Sequence, residues 1–134
     1  MYTQKILEIF KNPKNVGGLH GANGTAKLVD KTCGDVFKIY LKINNETKVI
    51  EEAKFKTMGC VASIVSSSVL TELATLKDVE SAKLITEQDI LDVLGELPNE
   101  KLFLLTSAIQ TLHLAIADYY KKLEKEQKLL EAKN

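Results

Sequence analysis

Residues 36–65, VFKIYLKINNETKVIEEAKFKTMGCVASIV, contain two alternating runs, the turn between them and the start of a helix. Val36 to Ile43 is rich in β-branched and aromatic residues, with Lys38 and Lys42 on the face opposite Ile39, Leu41 and Ile43. That period of two predicts a half-buried strand. Asn44-Asn45 signals a turn, and Val49 to Thr57 alternates again with Ala53 and Phe55 on one face. Upstream, Ala26 and Leu28 alternate with polar neighbours after Gly24, which predicts a further strand. Three strands with short connections predict an antiparallel meander covered on one face by helices, an α+β fold.

Outward from this centre the period changes. Tyr2 to Lys11 reads as a short helix ended by Asn12-Pro13, and the Gly- and Asn-rich stretch to Gly24 reads as a loop. From Val61 the chain reads as helical. Val61, Ile64, Val65, Leu70 and Leu73 form an apolar stripe, and Ser63 with Ser66-Ser67-Ser68 allows close packing on a sheet. Asp78 to Lys83 gives a turn or two. Thr86 caps a helix from Glu87 to Leu94 that Gly95 stops, and Leu97-Pro98-Asn99 breaks the chain again. Leu102, Leu105, Ile109, Leu112, Ile116 and Tyr119 then predict a long amphipathic helix. Residues 122–134 extend it as a polar tail, frayed at its end.

The 134 residues predict a single domain, 45% apolar and 27% charged, with 18 basic and 18 acidic side chains. The balance argues against broad nucleic-acid or acidic-membrane binding. No uninterrupted apolar run reaches the ~18–20 residues of a membrane span, and the first residues lack a secretion-signal layout. With two cysteines and no export signal, the expected location is the reducing cytoplasm, where thiols stay free.

Cys33 lies in Thr32-Cys33-Gly34-Asp35, at the entry to the central strand, and Cys60 in Met58-Gly59-Cys60-Val61, where a strand gives way to a helix. A helix N-terminus favours the thiolate, the form that binds metals. Asp35 adds an oxygen donor, and positions i and i+2 of a strand share a face, so Cys33 and Asp35 are expected to point at one centre. A lone buried Cys is ordinarily a small hydrophobe, and no C-x-x-C spacing is present. His20 reads as a solvated loop residue and His113 as a partly exposed helix residue. No Ser-His-Asp set, phosphate loop or carboxylate pair marks an enzyme.

Four blocks carry a resemblance: Asn12-Pro13-Lys14-Asn15-Val16-Gly17, Cys33-Gly34-Asp35, Phe55-Lys56-Thr57-Met58-Gly59-Cys60-Val61-Ala62-Ser63 and Ala115-Ile116-Ala117-Asp118-Tyr119. Together they resemble the IscU/NifU N-terminal family of iron–sulfur cluster assembly scaffolds, in register from about Tyr2 to Lys121. The resemblance implies a three-stranded antiparallel sheet with helices on one side. It also implies a labile cluster built with sulfur from a cysteine desulfurase and passed to acceptor proteins. The family's site, three Cys and an Asp with a His beside the third Cys, puts Cys33, Asp35 and Cys60 on the first Cys, the Asp and the second Cys. At the family's His-Cys this chain has Phe103 and Leu104, neither of which ligates iron. Asn99 and Glu100 replace the family's Pro-Val, which counts against the Hsp70-type chaperone that reads that segment, while Lys101 is retained.

The favoured expectation is therefore a divergent scaffold or carrier binding iron or a cluster through Cys33, Asp35 and Cys60. A symmetric dimer would complete a [2Fe–2S] site with four thiolates, with Phe103 and Leu104 in its dry interface. A single Zn or Fe ion would instead use the three donors and water. The alternative is a module without a cluster that docks and regulates a cysteine desulfurase or a complete scaffold paralogue. A third reading is a sulfur carrier in which Cys60 takes a persulfide that Cys33 resolves.

Overall fold

The alternation in Val36–Ile43 makes β2 the middle strand of the computed structural model, which describes residues 2–133. β1 (Gly24–Val29) and β3 (Ile50–Met58) flank it, both antiparallel. Phe37, Ile39, Leu41 and Ile43 are buried on one face together with Ile50, Ala53 and Phe55 of β3. Ile50 and Ala53 are three residues apart yet share that face. A register shift at Lys42/Ile43 places Glu52 opposite Lys42 and Ile50 opposite Ile43, leaving Glu51 as the extra residue of a bulge. Residues Asn15 to Gly17 run along the free edge of β3, exchanging backbone hydrogen bonds with Phe55 (Gly17 N–H to Phe55 C=O, 2.8 Å; Phe55 N–H to Asn15 C=O, 2.9 Å) and so blunting it.

Two helices cover the core face. α2 (Val61–Ala74) is buried at Ala62, Val65, Val69 and Leu70, and also at Ser63, Ser66, Ser67 and Ser68. Of the expected stripe Val65 and Leu70 are buried, while Val61, Ile64 and Leu73 are half-buried but still packed against the core; α2 touches β3, α5 and two smaller helices, so its serine side is covered as well. Ser67 and Thr71 tolerate this by bonding backwards along the helix, Ser67 to Ser63 C=O (2.8 Å) and Thr71 to Ser67 C=O (3.0 Å), and Ser68 bonds to the Lys14 backbone, whereas the buried Ser66 hydroxyl has no partner among the described residues.

α5 (Phe103–Lys133) crosses β1 and β2. Gly24 permits the closest approach, since a Cβ there would stand 2.6 Å from the Ala115 carbonyl oxygen. Asp118 Oδ2 accepts from the Thr25 N–H (2.9 Å) and pairs with Lys122 (2.9 Å), and Tyr119 donates to Asn45 Oδ1 (2.8 Å). α5 is long enough, and apolar enough over part of its length, to span a bilayer, but over half of that stretch is buried within the fold. Its tail is helical to Lys133; Asn134 lies outside the described residues.

The smaller elements follow their local signals. α1 (Gln4–Lys11) is capped by Thr3, one turn (α3, Val79–Ala82) by Asp78, and α4 (Glu87–Leu94) by a reciprocal Thr86–Asp89 box. Gly95 ends α4 at φ +90°, and Asn99–Lys101 forms a single 3-10 turn before α5.

Candidate functional site

Both cysteines lie at one end of the sheet, on the turn between β1 and β2 and on the step from β3 into α2. Asp30 builds the first turn. Its carbonyl accepts from Gly34 N–H (2.7 Å), its N–H donates to Asp35 C=O (2.8 Å), and its Oδ1 accepts from Thr32 N–H (2.9 Å). Gly34 sits at φ +78°, a conformation that favours glycine. Asp30 Oδ2 also receives the hydroxyl of Ser107 in α5, so a buried bond anchors this turn to the long helix. That hydroxyl, more than any other neighbour, holds the Asp30 carboxyl below its ordinary pKa.

Cys33 is exposed at the tip of the turn, with Sγ 3.7 Å from Asp30 Oδ1. Partial loss of water raises its thiol pKa. The Asp35 N–H pulls the other way, while the carboxylates of Asp35 and Asp30 reinforce the rise. The rise favours the thiol form of free Cys33, which lies on a turn and not at a helix N-terminus. Cys33 also belongs to a turn and not to a strand, since β2 starts only at Val36. The turn, rather than the period of a strand, brings Asp35 beside it.

Cys60 is the N-cap residue of α2 and half-buried. Its N–H donates to Asp35 Oδ2 (3.3 Å), and Ser63 donates to its carbonyl (2.8 Å), with the hydroxyl 3.8 Å from Sγ. Gly59 makes room for this: a Cβ there would overlap the Asp35 carboxyl group and stand 2.7 Å from the Ser63 hydroxyl. The buried Asp35 carboxylate therefore adjoins both cysteine turns. Among the described residues no three His, Cys, Asp or Glu side chains gather closely enough to hold a metal ion, so Cys33, Asp35 and Cys60 are linked in pairs through Asp35 and do not form a closed triad.

Leu104, in the first turn of α5, is fully buried, and Phe103 is half-buried against the core. This corrects the expected dimer contact, because Leu104 already faces the interior. His20 is exposed, and His113 is exposed with its ring Nε2 3.2 Å from the Lys83 carbonyl oxygen. Sequence reasoning missed Tyr2. Burial raises its pKa, as does the neighbouring Cys60, while Lys101 and the Ala62 N–H act in the opposite sense. Its hydroxyl therefore lies by the first turn of α2. Nothing local in the sequence marks it, and the same holds for the bond between Asp30 and Ser107.

The family model described as NifU-like N terminal domain matches residues 1–126. The chain belongs to that family. Among its relatives is the "iron-sulfur cluster assembly scaffold protein IscU" of Aquifex aeolicus, 42% identical over 121 residues that cover 90% of this chain and 77% of that one. The protein of the same name in Escherichia coli K12 is 38% identical over 126 residues, covering 92% and 97%. The crystal structure of a putative scaffold protein for the SUF system from Fervidobacterium islandicum AW-1 superposes with a TM-score of 0.70 at 21% identity, covering 85% of this chain and 95% of that one. The N-terminal part of a NifU-like protein from Brucella abortus gives 0.66 at 19%, covering 92% and 94%. These two confirm the NifU-like fold: the three-stranded antiparallel sheet with its helices.

Proposed function

We propose that this NifU-like domain is an iron–sulfur cluster assembly scaffold or carrier, with iron or a [2Fe–2S] cluster as its cargo and Cys33, Asp35 and Cys60 as its ligands. Relatives named as such scaffolds, at 38–42% identity over most of the chain, support the scaffold role. The observation that carries the choice of residues is the Asp35 carboxylate, which accepts from the Cys60 N–H and acts on the Cys33 thiol. Two thiolates and a carboxylate suit iron by donor type. A thiolate binds it firmly and a carboxylate less so, which makes Asp35 the ligand that keeps the cargo transferable.

A [2Fe–2S] cluster takes four protein ligands, and Phe103 and Leu104 add none. Two chains meeting at their cysteine ends supply four thiolates, with Phe103 but not Leu104 available to the contact. A single Fe or Zn ion instead takes the three donors and a water molecule. A cysteine desulfurase as sulfur source, an acceptor protein as recipient and a reducing compartment such as the cytoplasm complete the reading.

Reconstitution with ferrous iron and sulfide under anaerobic conditions is expected to give a brown protein whose charge-transfer bands disappear in Cys33→Ala and in Cys60→Ala. A colourless product without iron rejects the reading. Asp35→Ala is expected to slow transfer of the bound cargo to an apo-acceptor, and an unchanged transfer rate rejects the role given to Asp35.

A second reading is favoured by the absence of a three-donor group among the described residues. In it the fold docks and regulates a desulfurase or a complete scaffold without holding a cluster. Desulfurase binding that persists in the Cys33→Ala, Cys60→Ala double variant, together with a colourless wild type, selects it.

A further inference from the structure

Asp30 is outside the donor set of Cys33, Asp35 and Cys60, yet its carboxylate touches the first of them. The Cys33 thiol donates to Asp30 Oδ1 with Sγ 3.7 Å away, and Oδ1 also accepts from Thr32 N–H (2.9 Å). Oδ2 is turned to the other side, where the Ser107 hydroxyl donates to it. Asp30 and Ser107 are both buried, at 8% and 7% exposure. Ser107 stands about one turn after Leu104 in α5, so the two share a face of that helix. The start of α5 offers no donor at Phe103 and Leu104, but it reaches the Cys33 turn through Ser107 and Asp30.

Closing the turn does not by itself call for a carboxylate. The side-chain oxygen of an asparagine accepts from the N–H two residues on as well as that of an aspartate. A carboxylate adds negative charge, and here it adds it beside a sulfur that the Asp35 carboxylate also approaches. Two carboxylates and a thiolate repel one another, and a cation among them offsets the repulsion. The spacing suits such a cation. A tetrahedral ion about 2.3 Å from a thiolate and about 2.0–2.2 Å from a carboxylate oxygen holds the two about 3.5–3.7 Å apart. Cys33 Sγ and Asp30 Oδ1 already stand at that distance. The ion takes the place of the thiol proton, which leaves to solvent, and uses the Oδ1 lone pair that the thiol had occupied. Thr32 N–H keeps the other lone pair, and Ser107 holds the orientation of the carboxylate.

We propose that Asp30 is a further ligand of the cargo, supplying within one chain the fourth donor that Phe103 and Leu104 withhold. This rests on the reading of Cys33, Asp35 and Cys60 as the ligands. Asp30 and Cys33 form a corner of the site that is already at ligand spacing, and Asp35 links that corner to Cys60, whose N–H it accepts (3.3 Å). With Asp30, a single ferrous or zinc ion has two sulfurs and two oxygens without a water molecule. A [2Fe–2S] cluster has its four protein ligands without a second chain.

The test is an anaerobic titration of the full chain with Co(II) alone, an ion that accepts sulfur and oxygen donors and reports its thiolate ligands by charge-transfer absorption. Asp30→Asn keeps an acceptor for Thr32 N–H and a polar partner for Ser107, so the turn stays closed. It is expected to weaken Co(II) binding about tenfold or more and to shift the visible ligand-field bands, as water replaces the carboxylate. Asp30→Cys is expected to raise the charge-transfer intensity per bound Co(II) by about one half, from two thiolates to three. A residue that only positions the turn gives no such rise. Asp30→Asn decides alone if Asp30→Cys does not fold. Cys33→Ala, which removes a ligand of the underlying reading, is expected to abolish tight binding. Unchanged affinity and bands in Asp30→Asn, or no added charge-transfer intensity in folded Asp30→Cys, overturns the role of Asp30; the three-donor site then stands if Cys33→Ala still abolishes binding. No binding of Co(II) to the wild-type chain overturns both.

Discussion

Gly59 sets how close the Asp35 carboxylate comes to Cys60, because any side chain there meets that carboxyl group and the Ser63 hydroxyl, both of them on buried residues. Gly59→Ala is expected to cost about 1–3 kcal/mol through overpacking. In urea melts the midpoint should fall, and the Cys60 amide resonance should move as its bond to Asp35 is lost. An unchanged midpoint and amide shift contradict the role of Gly59. At this scale the sequence disclosed which residues bear chemistry but not how they meet. Cys33, Asp35 and Cys60 stand out by type and by their glycine neighbours. The expected strand geometry of Cys33 and Asp35 gave way to a turn that Asp30 closes, and its anchor, Ser107, lies 77 residues away in the chain. A contact of that separation leaves no local pattern to read.

Elements were more legible, because their signals are local. The alternation of Val36–Ile43 and the Thr86 and Gly95 caps of α4 reappear in the structure at the same residues. The bulge at Glu51 was passed over although the pattern marks it, since an unbroken alternation from Val49 to Thr57 would put Glu51 on the face of Ala53 and Phe55 and Ile50 on the other, and the serines of α2 gave no sign that the helix is enclosed on nearly every side. The junction of β1 with α5 supports a prediction of its own. Burial works against ionisation of Asp118, yet the Thr25 N–H and the Lys122 ammonium more than offset it and hold its pKa below the ordinary value. A carboxyl group depressed in the native state gives its full stabilisation above its unfolded pKa of about 3.9 and loses it as pH falls through the native value. Asp118→Asn is expected to cost about 1 kcal/mol at neutral pH, a hydrogen bond to a charged group discounted for its partial exposure. The gap to wild type should narrow below about pH 4. Chemical denaturation at neutral and acid pH measures it, and a gap that is constant down to the acid transition contradicts the assignment.

For the whole molecule, the sheet and helices form a frame that presents two cysteine turns at one end, with the buried Asp35 carboxylate between them. The family's fold was legible because long, periodic segments and motif blocks agree on it. The occupancy of the site was not, since it depends on donors that Phe103 and Leu104 do not provide and on whether a second chain supplies them. Native mass spectrometry of protein reconstituted without oxygen counts iron atoms, sulfide ions and chains in one measurement. The expected species carries iron and sulfide in equal numbers on one chain or on two, and loses both in Cys33→Ala and Cys60→Ala. A metal-free chain, or iron and sulfide that remain bound in both variants, contradicts the assignment of the cargo to these two cysteines.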